Sequence, residues 1–240
     1  MPRPIDVIPT PALLSERHLT SRAVVVFDVL RATTSIATAL ANGADHVEVH
    51  GSLDDARVAA DGDAVLAGER DCLPPPGFDL GNSPAGFTRQ RVGGKRVVLT
   101  TSNGTRAILA AEAAANRFTA ALVNAADTAE AVLATDAPVT LLCAGTDGED
   151  ALEDWLGAGA VLRHLREHVE PESDRVLAAS LLFQRCVDDL PAVLATTRGG
   201  RNVIDAGLAD DIAAACNLDG VGGVNRVDTV AGRTVVRKRD

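Results

Sequence analysis

The chain has 240 residues, 46% of them apolar, and a formal net charge of -10. That length and apolar content support a buried core in one large or two small domains. The acid surplus and the lack of any basic tract exclude nucleic acid and anionic membrane as natural partners. No apolar run reaches the roughly 18–20 residues that cross a bilayer.

The opening MPRPIDVIPTP has no apolar core of a signal peptide. AVVVFDVL, from Ala23, reads as a buried strand, followed by a helix that stops at Asn42-Gly43. DHVEVH (strand), LDDARVAA (helix) and AVLAGE (strand) come next. The stretch from Glu69 to Pro84, ERDCLPPPGFDLGNSP, is irregular, because its prolines forbid helix. Long loops inside compact domains are often functional. KRVVLTT, FTAALVN and VTLLCAG are further strands, separated by the helical stretches TRAILAAEAAA and TAEAVLAT. A long helix is expected from about Glu149 to Val169, and others over Ser173 to Val187 and Leu208 to Cys216. GRTVVRK reads as a final edge strand. This alternation predicts an α/β fold, three-layer α/β/α with a largely parallel or mixed sheet. It is expected to form one domain over residues 1–240, divisible into sub-parts at about residue 170.

Cys72, Cys143, Cys186 and Cys216 are widely spaced, with no C-x-x-C, and suit reduced thiols in a cytoplasmic protein. Lysine occurs only at Lys95 and Lys238, while arginine and aspartate are plentiful. Adaptation to concentrated salt and a GC-rich genome both produce that balance. One sequence does not fix an oligomeric state, although closed homo-oligomers are common among soluble enzymes.

In parallel α/β sheets ligands bind beyond the carboxyl ends of strands. Here those ends carry Asp28-Val-Leu-Arg31-Ala-Thr33-Thr34, Glu69-Arg70-Asp71, Thr101-Ser102-Asn103-Gly104-Thr105-Arg106 and the acidic run Asp147 to Asp154. Hydroxyls and a glycine at a helix start suit a phosphate, and they equally suit a plain helix cap. Arg31 adds a fork-shaped cation for an oxyanion. GFDLGNSP offers Asp79, Asn82 and Ser83 either to a site or to turn chemistry. Glu149 with Glu153, and Asp150 with Asp154, fall one helical turn apart, as a solvated face or as ligands for a hard cation. His164 and His168 lack the Glu of a zinc-binding H-E-x-x-H. G-x-S-x-G, P-loop and G-x-G-x-x-G motifs are absent.

Taken together and in order, FDVLRATTSIATALANGA, LAGERDCLPPPGFDLGNSPAGF, VVLTTSNGTRAI, LLCAGTDGEDALEDWLGAGAVL and, more loosely, RGGRNVIDAGLADDIAAACNLD resemble the 2-phosphosulfolactate phosphatases. The resemblance implies a Mg²⁺-dependent phosphoric monoester hydrolase on the coenzyme M route. Its substrate would be 2-phospho-3-sulfolactate, a small anionic phosphorylated molecule, cleaved to sulfolactate and phosphate. Asp28, Arg31 and Glu69 are the expected catalytic residues. Thr33, Thr34, Arg70, Asp79, Asn82, Ser83, Thr101, Ser102, Asn103, Gly104, Thr105 and Arg106 are expected around phosphate and substrate. Asp28, Glu153 and Asp154 are expected to hold the metal. Asp28 is left open as ligand, base or nucleophile. A phosphatase for another small phosphorylated hydroxy acid, and a non-catalytic phosphate- or sulfonate-binding relative, are the alternatives. The C-terminal VGGVNRVD departs from the more hydrophobic ending expected of the family.

Overall fold

A computed structural model describes residues 2–239. Its strands are β1 (Arg3–Ile8), β2 (Ala23–Phe27), β3 (His46–Val49), β4 (Val65–Gly68), β5 (Arg96–Thr100), β6 (Asn116–Ala120), β7 (Val139–Cys143), β8 (Val169–Pro171), β9 (Val224–Val230) and β10 (Arg233–Arg239). The helices are α1 (Ala32–Ala41), α2 (Leu53–Ala59), α3 (Arg89–Val92), α4 (Gly104–Ala110), α5 (Ala125–Leu133), α6 (Leu152–Leu165), α7 (Asp174–Cys186), α8 (Leu190–Thr196), α9 (Arg198–Asp205) and α10 (Asp210–Ala215). All residues of β2 and β7 are buried. A run such as AVVVF suits a strand covered on both faces.

The strands form one mixed sheet in the order β4-β5-β3-β10-β9-β6-β2-β7-β1-β8. β4, β5 and β3 are mutually parallel, as are β6, β2, β7, β1 and β8. Between these groups the β9–β10 hairpin pairs antiparallel with itself, with β6 and with β3. Three reversals make the two parallel groups run in opposite directions. In a flat sheet their carboxyl ends would lie on opposite edges.

Here the sheet curls around α1 and α4. Val24 and Val26 of β2, Val47 of β3, Val97 of β5, Ile36 and Leu40 of α1 and Ile108 of α4 share one apolar core. On the other face of β2, Val25 and Phe27 pack with residues of α5, α6 and α7. Ala56 of α2 covers Leu66 and Val98 from outside. Helices therefore flank both faces, which is the three-layer α/β/α arrangement. Gly104, just after β5, abuts Asp28, just after β2, so the curling joins the two carboxyl ends.

The segment GRTVVRK is not an edge: β10 lies inside the sheet, between β3 and β9. Its partner β9 comes from VGGVNRVD, where Gly222 and Gly223 at positive φ turn the chain into the strand. The helix expected from Glu149 begins at Leu152 and ends at Leu165. Gly145, Asp147 and Gly148 all have positive φ, so this loop cannot continue a helix. Glu149 and Asp150 consequently stay in the exposed loop and do not stack on Glu153 and Asp154. Val169 opens β8. FTAALVN stops being a strand at Ala120, and Leu122–Asn124 forms a 3-10 turn. Among the described residues no helix is long and apolar enough to cross a membrane.

Candidate active site

Where the curled sheet brings its loops together, a cavity of about 60 Å³ is lined by residues from six short segments. Asp28, Leu30 and Arg31 follow β2, Glu69 and Cys72 follow β4, and Asn82 lies in the proline-rich loop. Asn103 precedes α4, Thr146 follows β7, and Gly199, Asn202 and Val203 come from α9.

Asp28 is 8% exposed. The Ala32 N–H donates to its Oδ1 at 3.1 Å, so the start of α1 holds the carboxyl. Gly104 approaches so closely that a Cβ there would lie 2.4 Å from Asp28 Oδ2. Burial first, and then the charges of Glu69 and Glu153, push the Asp28 carboxyl up to about 7 against amide hydrogen bonds from Ala32 and Gly104. Glu69 accepts from the Ser102 amide on Oε1 at 2.7 Å and from the Cys72 amide on Oε2 at 3.1 Å. This carboxylate thus ties the loop after β5 to the loop after β4.

Arg31 is buried, with its guanidinium fixed from two sides. Nη1 donates to Asp211 Oδ2 at 2.8 Å and Nη2 to the Cys72 carbonyl at 2.7 Å. Asp211 also accepts from the Ser83 hydroxyl at 2.5 Å. Asn82 is 3% exposed, and its Oδ1 is buried without a hydrogen-bond partner. A buried orphan acceptor on a cavity wall marks a place for a ligand, water or ion.

Of the three residues expected to hold metal, only Asp28 lines the cavity. Asp154 lies behind it and accepts the Val29 amide at 2.8 Å and the Gly145 amide at 3.0 Å. Both oxygens therefore brace the loops after β2 and β7. Burial, with the charges of Asp28 and Glu153, pushes its carboxyl well up. Glu153 is 1% exposed, and its Oε2 has no partner. Its Oε1 sits where a Cβ on Gly199 would be, 1.8 Å away. Burial raises Glu153 against hydrogen bonds from its own amide, the Thr197 hydroxyl and the Gly199 amide.

Several residues expected at the phosphate hydrogen-bond to the protein's own backbone. Thr33 donates to the Asp28 carbonyl at 2.9 Å, and Thr34 to the Val29 carbonyl at 2.7 Å; both are buried. The Thr101 hydroxyl accepts the Thr105 amide at 3.1 Å, and the Thr105 hydroxyl donates to the Thr101 carbonyl at 2.9 Å. Thr33, Thr34 and Thr105 thus donate their hydroxyl protons to backbone carbonyls, while the Thr101 hydroxyl accepts a backbone amide. Asp79 is exposed and accepts the Leu66 amide at 2.9 Å, stapling the proline-rich loop to β4. Ser83 faces Asp211. Arg70 donates to the Glu69 carbonyl at 2.5 Å, and Arg106 is exposed on α4. Neither arginine lines the cavity. Ser102 contributes through its amide, Gly104 through its closeness to Asp28, and Asn103 lines the wall.

Sequence reasoning placed no site residue on α9 or α10. The Thr197-Arg-Gly-Gly stretch carried the signal: Thr197 caps α9 through the Gly200 amide at 3.0 Å, and the bare Gly199 admits Glu153. Asp211 had no local signal, because its partners Arg31 and Ser83 are far away in sequence.

The family model described as 2-phosphosulpholactate phosphatase matches residues 8–229. A relative from Symbiobacterium thermophilum, described as a probable 2-phosphosulfolactate phosphatase, is 39% identical over 84% of this chain and 89% of its own length. One from Gloeobacter violaceus with the same description is 38% identical over 95% of this chain and 96% of its own. One from Synechococcus sp. (strain CC9605), again so described, is 41% identical over 83% and 86%.

Proposed function

This chain belongs to the 2-phosphosulpholactate phosphatase family of phosphoric monoester hydrolases, and on that footing we propose that its cavity hydrolyses 2-phospho-3-sulfolactate to 3-sulfolactate and phosphate with Mg²⁺. The observation that carries the reading is the pairing of Asp28, a carboxyl near neutrality, with the anchored Arg31 across one small cavity.

Phosphoryl transfer asks a protein mainly for positioning and charge neutralisation. Arg31 serves the phosphoryl oxygens. An arginine has five N–H donors, and two of its nitrogens are anchored, so the fork arrives already oriented. Asp28 orients the attacking water and takes its proton as the oxygen bonds to phosphorus. Without a metal this carboxyl sits near 7, and a cation held beside it would keep it ionised and ready to accept the proton. The bond from phosphorus to the C2 oxygen breaks, that oxygen takes a proton from solvent to leave as the sulfolactate hydroxyl, and Asp28 returns its proton to solvent.

The donor set fits a hard cation. It is all oxygen, it crowds like charges, and it contains the orphan Asn82 Oδ1. Among the described residues no three Asp, Glu, His or Cys side chains form a ready cage. Mg²⁺ commonly needs only one or two carboxylates, with water and substrate phosphate completing its shell. Glu69 and Asn82 would hold it, and when bound it supplies neutralisation of the phosphoryl charge.

A space of about 60 Å³ holds roughly two waters. The phosphoryl end enters this space, and the rest of the substrate lies toward Gly199, Asn202 and Val203 of α9. The test is phosphate release from racemic 2-phosphosulfolactate, in Mg²⁺ and in EDTA, beside a panel of other phosphorylated hydroxy acids. Metal-dependent release favouring the sulfonated ester is expected. Preference for another ester would move the substrate, and binding without release from any ester would overturn the hydrolytic reading.

A further inference from the structure

We propose that Asp211 is a positioning residue for the reaction, acting through Arg31. The inference rests on the reading of Arg31 as the phosphoryl clamp. Asp211 belongs to α10, near the end of the chain, and does not line the cavity. Its carboxylate is buried and joins two segments of the site. One oxygen accepts Arg31 Nη1 at 2.8 Å, and the other accepts the Ser83 hydroxyl at 2.5 Å. Ser83 is next to Asn82, whose carbonyl accepts the Ser35 hydroxyl at 2.7 Å and whose Oδ1 is the orphan on the cavity wall.

Asp211 therefore sets the direction of the arginine fork, and Ser83 in turn holds Asp211 from its other oxygen. The other anchor of Arg31 is the Cys72 carbonyl, on an irregular loop where Asp71 and Cys72 both have positive φ. A carbonyl holds one N–H but supplies no countercharge. Without Asp211, the guanidinium is free to swing about that one contact. The phosphoryl group then meets a cation whose orientation has to be paid for on binding.

Asp211→Asn keeps the volume and leaves one acceptor oxygen for two donors. It is expected to lower kcat/KM by roughly 100-fold. The inhibition constant of inorganic phosphate should rise in step. A double-mutant cycle separates positioning from plain structural damage. If Asp211 works through Arg31, adding Asp211→Asn to Arg31→Met changes kcat/KM by less than about twofold. A further loss of the full size in that background would overturn the proposal, as would Asp211→Asn with ordinary kcat/KM and phosphate inhibition. Arg31→Met with ordinary turnover would instead sink the reading of the clamp, and this proposal with it. Should Asp211→Asn fail to fold, Ser83→Ala in the same cycle loosens the carboxylate from its other side. A fall of about tenfold in kcat/KM that disappears in the Arg31→Met background is then expected, and an unchanged phosphate inhibition constant would count against the idea.

Discussion

Asp28→Asn is expected to make the protein more stable at pH 8 while destroying turnover. The carboxyl sits near 7 in the fold against an ordinary 3.8, chiefly because it is buried and secondarily because Glu69 and Glu153 are near. A raised acid is neutral and harmless below about pH 4. Its cost grows as pH climbs from about 4 to about 7, and it is complete above that. A gap of about three pH units corresponds to roughly 4 kcal/mol. Asparagine mimics the neutral acid and avoids this cost. For a chain of this length each kcal/mol moves the melting temperature by about 2–4 °C. Allowing for relaxation of the neighbouring acids, a rise of at least about 5 °C is expected at pH 8. At pH 4 the two proteins should melt within about a degree of one another. The assay is thermal melting of both proteins in EDTA at a series of pH values, beside phosphate release. Equal melting temperatures at pH 8, or a gain that does not change with pH, would refute the claim that Asp28 is held as a strained anion.

Gly104→Ala places a methyl 2.4 Å from Asp28 Oδ2 and 2.6 Å from the Ala32 Cβ, so turnover should fall by about 100-fold or more. Ordinary kinetics in that variant would mean that Asp28 need not stand where it does. Thr34→Val removes the brace on the Val29 carbonyl and should cost about 1–2 kcal/mol in urea unfolding with KM unchanged. A large rise in KM would return Thr34 to the substrate. Glu48 is buried, which alone would raise its carboxyl, but hydrogen bonds from His50 and Arg96 and the charge of Arg233 hold it below the ordinary 4.5. A depressed acid stabilises above that value, and its contribution is lost as pH falls through its lowered one. Glu48→Gln should therefore flatten the fall in stability below about pH 4.5. An acid limb as steep as that of the parent would show that other carboxylates carry it.

Most of the strands and helices were legible because their signals are local, whereas β1, β8 and β9 were not read as strands. AVVVF and VTLLC are unbroken apolar runs, and Gly43 and the prolines after Cys72 mark stops that need no tertiary context. The order Asp28, Glu69, Asn82, Asn103 could be read as site material for the same reason, since each residue ends a strand or fills an irregular loop. Thr33, Thr34, Thr101 and Thr105 stayed ambiguous because capping a helix and binding a phosphate call for the same side chains. Only the partner distinguishes them, and here the partner is the protein's own backbone.

β10 shows why the remainder stayed hidden. GRTVVRK carries charges at both ends, as an edge strand does, yet it lies mid-sheet. Its neighbour β3 supplies Glu48, whose carboxylate accepts from Arg96 and meets Arg233, so the charge is compensated across strands. Compensation of that kind depends on pairing between residues nearly 190 positions apart, such as Val235 with Glu48. The same hairpin lies between the two parallel groups and reverses their direction, and the end of β5 meets the end of β2 with Gly104 against Asp28. A site that owes its assembly to the last strands of the chain can be suspected from its separate loops. That Asp28 becomes a near-neutral acid follows only once the curled sheet has buried it among other carboxylates.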